Sequence, residues 1–222
     1  IVFRLLEQAE SMGKVVLFLD DWDKGLADWE SGGAARRIVQ KFLTWMQEHS
    51  SPVITIATVN RIELLPAELI RRFDDGGIWM LDLPHRGAIY EIFNIYLAKC
   101  FPQQFLHTNP ESVDDTPWTF EQWVELIDEA EECTPVEIAD VVNNCLIDWY
   151  CNLDEQVRIK GKEIPKIEFD YLLNKAQQID KASIRSSESI QAMRNNAWFA
   201  KPASSLDTSP FKLPEEALLG GG

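Results

Sequence analysis

The sequence predicts an α/β fold, a parallel sheet with helices on its faces, followed by a helical subdomain. Three observations predict it. Continuous apolar runs at Val15–Leu19, Val53–Val59 and Ile78–Leu83 suit strands buried on both faces of a parallel sheet. Segments with helical spacing of apolar residues separate and follow these runs, an alternation that argues for crossover units. Beyond about Phe101 the texture changes, and only helical patterns appear.

Taken in order, Ile1 to Met12 carries Leu5, Leu6 and Ala9 at helical spacing. The first strand ends in Asp20-Asp21. Trp22 to Gly33, with Gly25, Gly32 and several charges, reads as a loop. Ala34 to His49 predicts an amphipathic helix with Ala35, Ile38, Phe42, Trp45 and Met46 on one stripe, stopped by Ser50-Ser51-Pro52. The second strand ends in Asn60. Pro66 to Arg72 is a short helix with proline in its first turn. Pro84 closes the third strand, and Gly87 to Lys99 is again helical. Phe101 to Pro117 reads as a polar loop, and Thr119 to Glu132 as a helix. Thr134-Pro135-Val136-Glu137 is a capping box, opening a helix with Ile138, Val141, Val142, Cys145 and Trp149 on its apolar stripe. Two more helices are expected over Lys166 to Gln178 and Ser186 to Phe199. The expected organisation is an α/β piece over residues 1–100, a helical subdomain over 101–200, and a flexible tail over 201–222 ending in Gly220-Gly221-Gly222.

Of the 222 residues, 45% are hydrophobic and 26% charged, enough for a real core in an ordinary globular chain. A net charge of -15 repels phosphate backbones and anionic lipid surfaces, which argues against nucleic acid or a membrane as partner. No apolar run is long enough for a membrane span, and no secretory signal is visible. The first residue, Ile1, is not Met, which suits a fragment or a processed product. Cys100, Cys133, Cys145 and Cys151 form no C-x-x-C, and with His49, His85 and His107 they make no zinc pattern. Cys145 and Cys151 lie in an apolar helical stretch and are expected to be buried thiols.

Ligands of open parallel sheets bind outside the carboxyl ends of the strands. Asp20 and Asp21 close the first strand and Asn60 the second, so one crossover brings them together. A carboxylate there can hold a magnesium ion, directly or through its waters. A second carboxylate can orient or deprotonate a water, and an Asn amide can polarise it. Arg71 and Arg72 can stabilise charge on a transferring phosphoryl group. The same acidic pair also suits a solvated turn, and the arginines also suit surface salt bridges.

The order of motifs resembles the AAA+ ATPases. Val15 to Lys24, VVLFLDDWDK, looks like a Walker B strand, and Val53 to Arg61, VITIATVNR, like sensor 1. Leu65 to Asp74, LPAELIRRFD, looks like the arginine-finger region, and Thr134 to Asp140, TPVEIAD, like the start of the sensor 2 helix. Phe42 to Glu48 with Ser51-Pro52-Val53, and Ile190 to Arg194 with Trp198, are similar to uncharacterised AAA+ ATPases of algal plastid genomes and cyanobacteria. The resemblance runs from about Ile1 to Ser205. It implies a partial AAA+ core followed by a helical lid. It implies Asp20 as the Mg²⁺ carboxylate, Asp21 at the position of the catalytic Glu, and Asn60 as sensor 1. Arg71 or Arg72 would reach a neighbouring subunit's nucleotide, and Glu137 would lie against the nucleotide. ATP and Mg²⁺ as cofactors, a homo-oligomeric and usually hexameric ring, unidentified protein clients, and a cyanobacterial cytosol or plastid stroma are implied with them.

The sequence departs from the family pattern in three places. It holds no G-x-x-x-x-G-K-S/T; at Ser11-Met12-Gly13-Lys14-Val15, Gln8 stands for the first glycine and Val15 for the hydroxyl residue. The phosphate loop is therefore expected upstream. Asp21 replaces the catalytic Glu, which withdraws the carboxylate by about 1.5 Å. Arg71-Arg72-Phe73-Asp74-Asp75-Gly76-Gly77 lacks the usual Gly-Arg after the first arginine. Three functions follow: an ATP-driven ring that remodels proteins, a degenerate AAA+ scaffold or regulator with weak or no turnover, or an acidic interaction domain anchored by Trp22, Trp29, Trp79, Trp118 and Trp123.

Overall fold

The computed structural model describes residues 2–26, 33–74, 76–106, 113–155, 158, 161 and 163–214. The chain forms two compact units, residues 1–80 with 188–202, and residues 81–187 with 203–222. The division falls at Met80, not near Phe101 where the sequence changes texture.

The first unit holds α1 (Val2–Met12), β1 (Val15–Leu19), α2 (Trp22–Leu26), α3 (Ala34–Glu48), β2 (Val53–Ala57), α4 (Ala67–Phe73) and β3 (Trp79–Met80). Strands β1 and β2 pair in parallel, with Val15 opposite Val53 and Leu19 opposite Ala57. Leu6, Leu26, Val39, Phe42, Trp45 and Leu69 form the core, and Leu17, Leu19 and Val53 pack on it from one sheet face. The other face is open. Val16, Phe18, Ile54 and Ile56 are 46–63% exposed, so the expectation of two-sided burial is corrected. A continuous apolar run fits either case, because sequence cannot tell a covered face from a bare one. The expected loop from Trp22 is also corrected. Its first five residues are helical, and Trp22 packs edge-on against Phe42 at 4.8 Å and Phe73 at 5.9 Å. Residues 27–32 of that loop, Trp29 and Gly32 among them, lie outside the described residues.

The third expected strand shrinks to two residues and leaves the main sheet. Trp79 and Met80 pair in parallel with Lys201 and Pro202, which form β4. Glycines before it and Pro84 after it leave few residues for a ladder, and Leu81 is 78% exposed.

The second unit contains α5 (Arg86–Cys100), α6 (Pro102–Phe105), α7 (Phe120–Ala130), α8 (Pro135–Cys151), α9 (Phe169–Gln177) and α10 (Ala182–Arg185). Helix α11 (Ser187–Asn196) follows, and its residues from Glu188 belong to the first unit. The core is built from Ile89, Phe93, Leu97, Trp123, Ile127, Val142 and others, all fully buried. Capping boxes at Thr119/Gln122 and Thr134/Glu137 start α7 and α8. Two expectations change. Phe101, just before α6, and Phe105, its last residue, are buried core residues, not part of a polar loop; residues 107–112 of that loop, His107 among them, lie outside the described residues. The start of the expected flexible tail is held in place. Phe211 is buried, stacks on Phe120 at 5.1 Å, and gives its carbonyl to the Arg86 Nε at 2.7 Å. Arg86 also pairs with Asp128 at 2.6 Å and with Glu131. Gly87 is required here, because a Cβ would sit 2.7 Å from Asp207 and Ser209. Residues 215–222, with the terminal glycines, lie outside the described residues.

Candidate functional site at the strand tips

The parallel pairing of β1 and β2 brings the two predicted polar tips together. Past the last ladder pair, the Thr58 N–H donates to the Leu19 carbonyl and the Trp22 N–H to the Thr58 carbonyl, both at 2.9 Å. The chains therefore stay in register for one residue beyond each strand. Thr58 Oγ1 donates to Asp20 Oδ1 at 2.6 Å and accepts the Asp21 N–H at 2.9 Å. The Asn60 side-chain amide donates to Asp21 Oδ1 at 3.0 Å. Lys24 Nζ, one turn along α2, meets Asp21 Oδ2 at 2.5 Å. That bond and the adjacent carboxylate raise the Lys24 pKa.

Asp21 has φ 49°, in the left-handed region. Asp tolerates this conformation better than most residues. It turns the chain sharply from β1 into α2 and carries Asp23 inward. Asp23 is 1% exposed; its Oδ1 accepts the Asn60 N–H at 3.2 Å and its Oδ2 lies 3.9 Å from Arg61 Nε.

Asp20, Asp21 and Asn60 thus form one connected cluster, as their strand-end positions suggested. The sequence reading assigned no role to Thr58, Asp23, Lys24 or Arg61, although all four stand within four residues of the singled-out positions. Their signal was proximity to the strand ends in short polar runs. Among the described residues, no three His, Cys, Asp or Glu side chains converge as a metal cage. Asp20 uses one oxygen on Thr58 and presents the other, exposed, without a protein partner among the described residues. That donor set fits a cation held through one carboxylate and completed by water or ligand oxygens, the habit of Mg²⁺.

Arg71 and Arg72 occupy the last turn of α4, both exposed. Arg72 donates to Gln47 Oε1 at 3.3 Å, and Arg71 has no such partner among the described residues. Among the described residues, no hydrogen bond or ion pair ties either one to the acidic cluster. Glu137 lies in the second unit. Its Oε2 accepts from the Thr134 N–H at 2.7 Å and the Thr134 hydroxyl at 2.8 Å, and its Oε1 accepts the Ala182 N–H at 2.6 Å. Burial opposes ionisation of this carboxyl, but the two backbone amides and the hydroxyl outweigh it and lower its pKa. One oxygen caps α8 at Thr134, and the other ties α8 to the start of α10 at Ala182. Among the described residues no helix is long and apolar enough to cross a membrane.

Residues 2–76 match the family described as ATPase family associated with various cellular activities (AAA). The uncharacterised AAA domain-containing protein ycf46 of Pyropia yezoensis is 36% identical over 106 residues, which is 46% of this chain and 21% of that protein. The ycf46 protein of Trieres chinensis is 34% identical over 107 residues, with the same coverage. The chain therefore spans about a fifth of the length of these relatives. In three dimensions the FIGL-1 AAA domain matches 90% of the chain with a TM-score of 0.65 at 15% identity, and 61% of that domain is covered. Residues 2–76 are thus similar to an AAA ATPase domain, the ycf46 proteins are similar over nearly half of the chain, and the fold is that of an AAA domain.

Proposed function

We propose that the chain is the Walker B, sensor and lid portion of an ATP-binding and ATP-hydrolysing ring protein that acts on protein partners. The observation that carries this reading is the hydrogen-bonded cluster of Asp20, Asp21, Thr58 and Asn60 at the tips of two parallel strands. In it, the second oxygen of Asp20, without a protein partner among the described residues, would hold hydrated Mg²⁺, which would neutralise phosphate charge. Asp21 and Asn60 orient the attacking water. Arg71, on an exposed helix end and without a hydrogen-bond or ion-pair partner among the described residues, is the better placed of the two arginines to reach a neighbouring subunit; Arg72 is its alternate. The phosphate-gripping loop is supplied by residues other than these 222, upstream in the longer protein. A hexameric ring and a plastid-stroma or cyanobacterial cytosolic setting complete the reading.

Phosphate release by the full-length protein tests it. Asp20→Ala is expected to lower turnover at least about a hundredfold, the scale of a lost charge-stabilising group. An Asp20→Ala protein that hydrolyses Mg-ATP at the parent rate would sink the proposal.

One observation favours a second reading, a scaffold or regulator with little turnover. Both oxygens of Asp21 are occupied, one by Asn60 and one by Lys24, and the side chain is a carbon shorter than Glu. If the full-length protein binds Mg-ATP but releases no phosphate, this second reading takes over.

A further inference from the structure

Asn60 sits two residues past the last backbone bond between the strands, so the ladder does not set its position. The Thr58 N–H and carbonyl make the final pair with β1 and Trp22. Beyond them, two bonds tie Asn60 to the other tip. Its side-chain amide reaches Asp21, and its backbone N–H reaches Asp23 Oδ1 at 3.2 Å. The Asp21 carboxylate is exposed and shared with exposed Lys24, so its bond leaves the amide free to swing. Asp23 differs. It is 1% exposed, stands in the first turn of α2, and has Arg61, the residue after Asn60, 3.9 Å from its second oxygen. A buried acceptor with few rotamers open to it holds its partner more firmly than an exposed one.

We infer that Asp23 is a positioning residue for Asn60. It holds the Asn60 backbone N–H with one oxygen and lies beside the Arg61 side chain with the other, so that the side-chain amide reaches Asp21 from a fixed backbone. A two-point hold removes the rotation that a single side-chain bond would allow. This inference rests on the reading of Asn60 and Asp21 as the water-orienting pair. It adds that their geometry is set by α2, through a carboxylate that is itself buried.

Two measurements separate this inference from that reading. The first uses the 222-residue chain and needs no activity: hydrogen exchange of the Asn60 backbone amide. Asp23→Ala should speed exchange at Asn60 by about tenfold or more, while amides within β2 stay protected. Asp23→Asn keeps an acceptor oxygen in place and should restore most of the protection. The second uses steady-state phosphate release by the full-length protein. Asp23→Ala should lower kcat about tenfold with KM nearly unchanged, because misplacement of a water-orienting group is felt in the chemical step. In an Asn60→Ala background, Asp23→Ala should add little further loss.

Unchanged exchange at Asn60 in Asp23→Ala, or an Asp23→Asn variant as damaging as Asp23→Ala, would overturn the inference. Full additivity with Asn60→Ala would do the same. If Asp23→Ala does not fold, the comparison of Asp23→Asn with the parent decides by the exchange readout. Altered exchange without any ATP turnover in the parent would leave Asp23 as the anchor of Asn60 and refute the hydrolytic reading alone.

Discussion

Thr58 donates a 2.6 Å hydrogen bond to Asp20 across the tips of two parallel strands, and the same hydroxyl accepts the Asp21 N–H. One side chain on β2's extension therefore orients one acidic residue on β1's extension and the backbone of the next. Thr58→Val keeps the shape and removes the hydroxyl. It should cost about 1 kcal/mol of stability, the usual worth of such bonds. It should also lower ATP turnover in the full-length protein more than that loss explains, since Asp20 then rotates freely. Urea denaturation and phosphate release on the same preparation check both. Unchanged turnover would show that Asp20 needs no such orientation.

Asp21 is the second test point. Asp21→Glu should raise turnover of the full-length protein roughly tenfold by restoring the reach of the carboxylate, with nucleotide affinity unchanged. The longer side chain also moves the oxygens away from Lys24, which leaves one of them open to water. Slower or equal turnover would mean that the Asp21 geometry suits whatever this site does.

The pH dependence of stability offers a test in the second unit. Glu137 is held below its ordinary value of 4.5 by bonds from Thr134 and Ala182 that outweigh its partial burial. A carboxyl lowered on folding contributes stability that is present above the unfolded pKa and is lost as pH falls through the folded one. Glu137→Gln should therefore lower stability by about 1 kcal/mol at pH 7, through weaker bonds to the two amides. The gap between parent and variant should close as pH drops below 4.5. Urea midpoints from pH 7 to pH 3 give the answer. A gap that stays constant across that range would mean that the charge contributes nothing.

Thiol reactivity probes the core directly. Cys100, Cys133 and Cys145 are buried, while Cys151, at the end of α8, is exposed. Burial pushes Cys133 to about 11 and Cys145 to about 12, and raises Cys100 as well. The thiolate is the reactive form. In native protein at pH 8, Cys151 should react with a disulfide reagent within minutes, and the other three only after unfolding. Fast reaction of Cys145 would show that the α8 core opens readily. The same data correct the expectation that Cys151 is buried: the apolar stripe of α8 turns away before its last residue.

Much of the site was legible because it depends on short-range rules. A strand that ends in a polar residue presents it at the sheet's carboxyl edge, so Asp20, Asp21 and Asn60 could be paired without coordinates. The capping boxes at Thr119/Gln122 and Thr134/Glu137 were legible for the same reason, since every bond in them spans three residues. Trp118 and Trp123 were read as partner anchors or as core, and the structure buries both, whereas Trp79 is exposed.

By itself, then, the sequence determined the two parallel strands, the helical second part, the start points of the two helices opened by Thr119 and Thr134, and the acidic residues at the strand tips. All of these follow from periodicity and local bonding, which act over one or two turns of chain. Only the tertiary structure decided that one face of the sheet stays bare and that Trp79-Met80 pairs with Lys201-Pro202. It alone decided that Phe211 closes the core beside Arg86 and that Glu137 spends an oxygen on Ala182. It also buried Asp23 beneath Asn60, 37 residues away along the chain. Each of these is a contact between distant segments, set by which surfaces meet when the chain packs, and nothing in the local pattern of residues encodes that meeting.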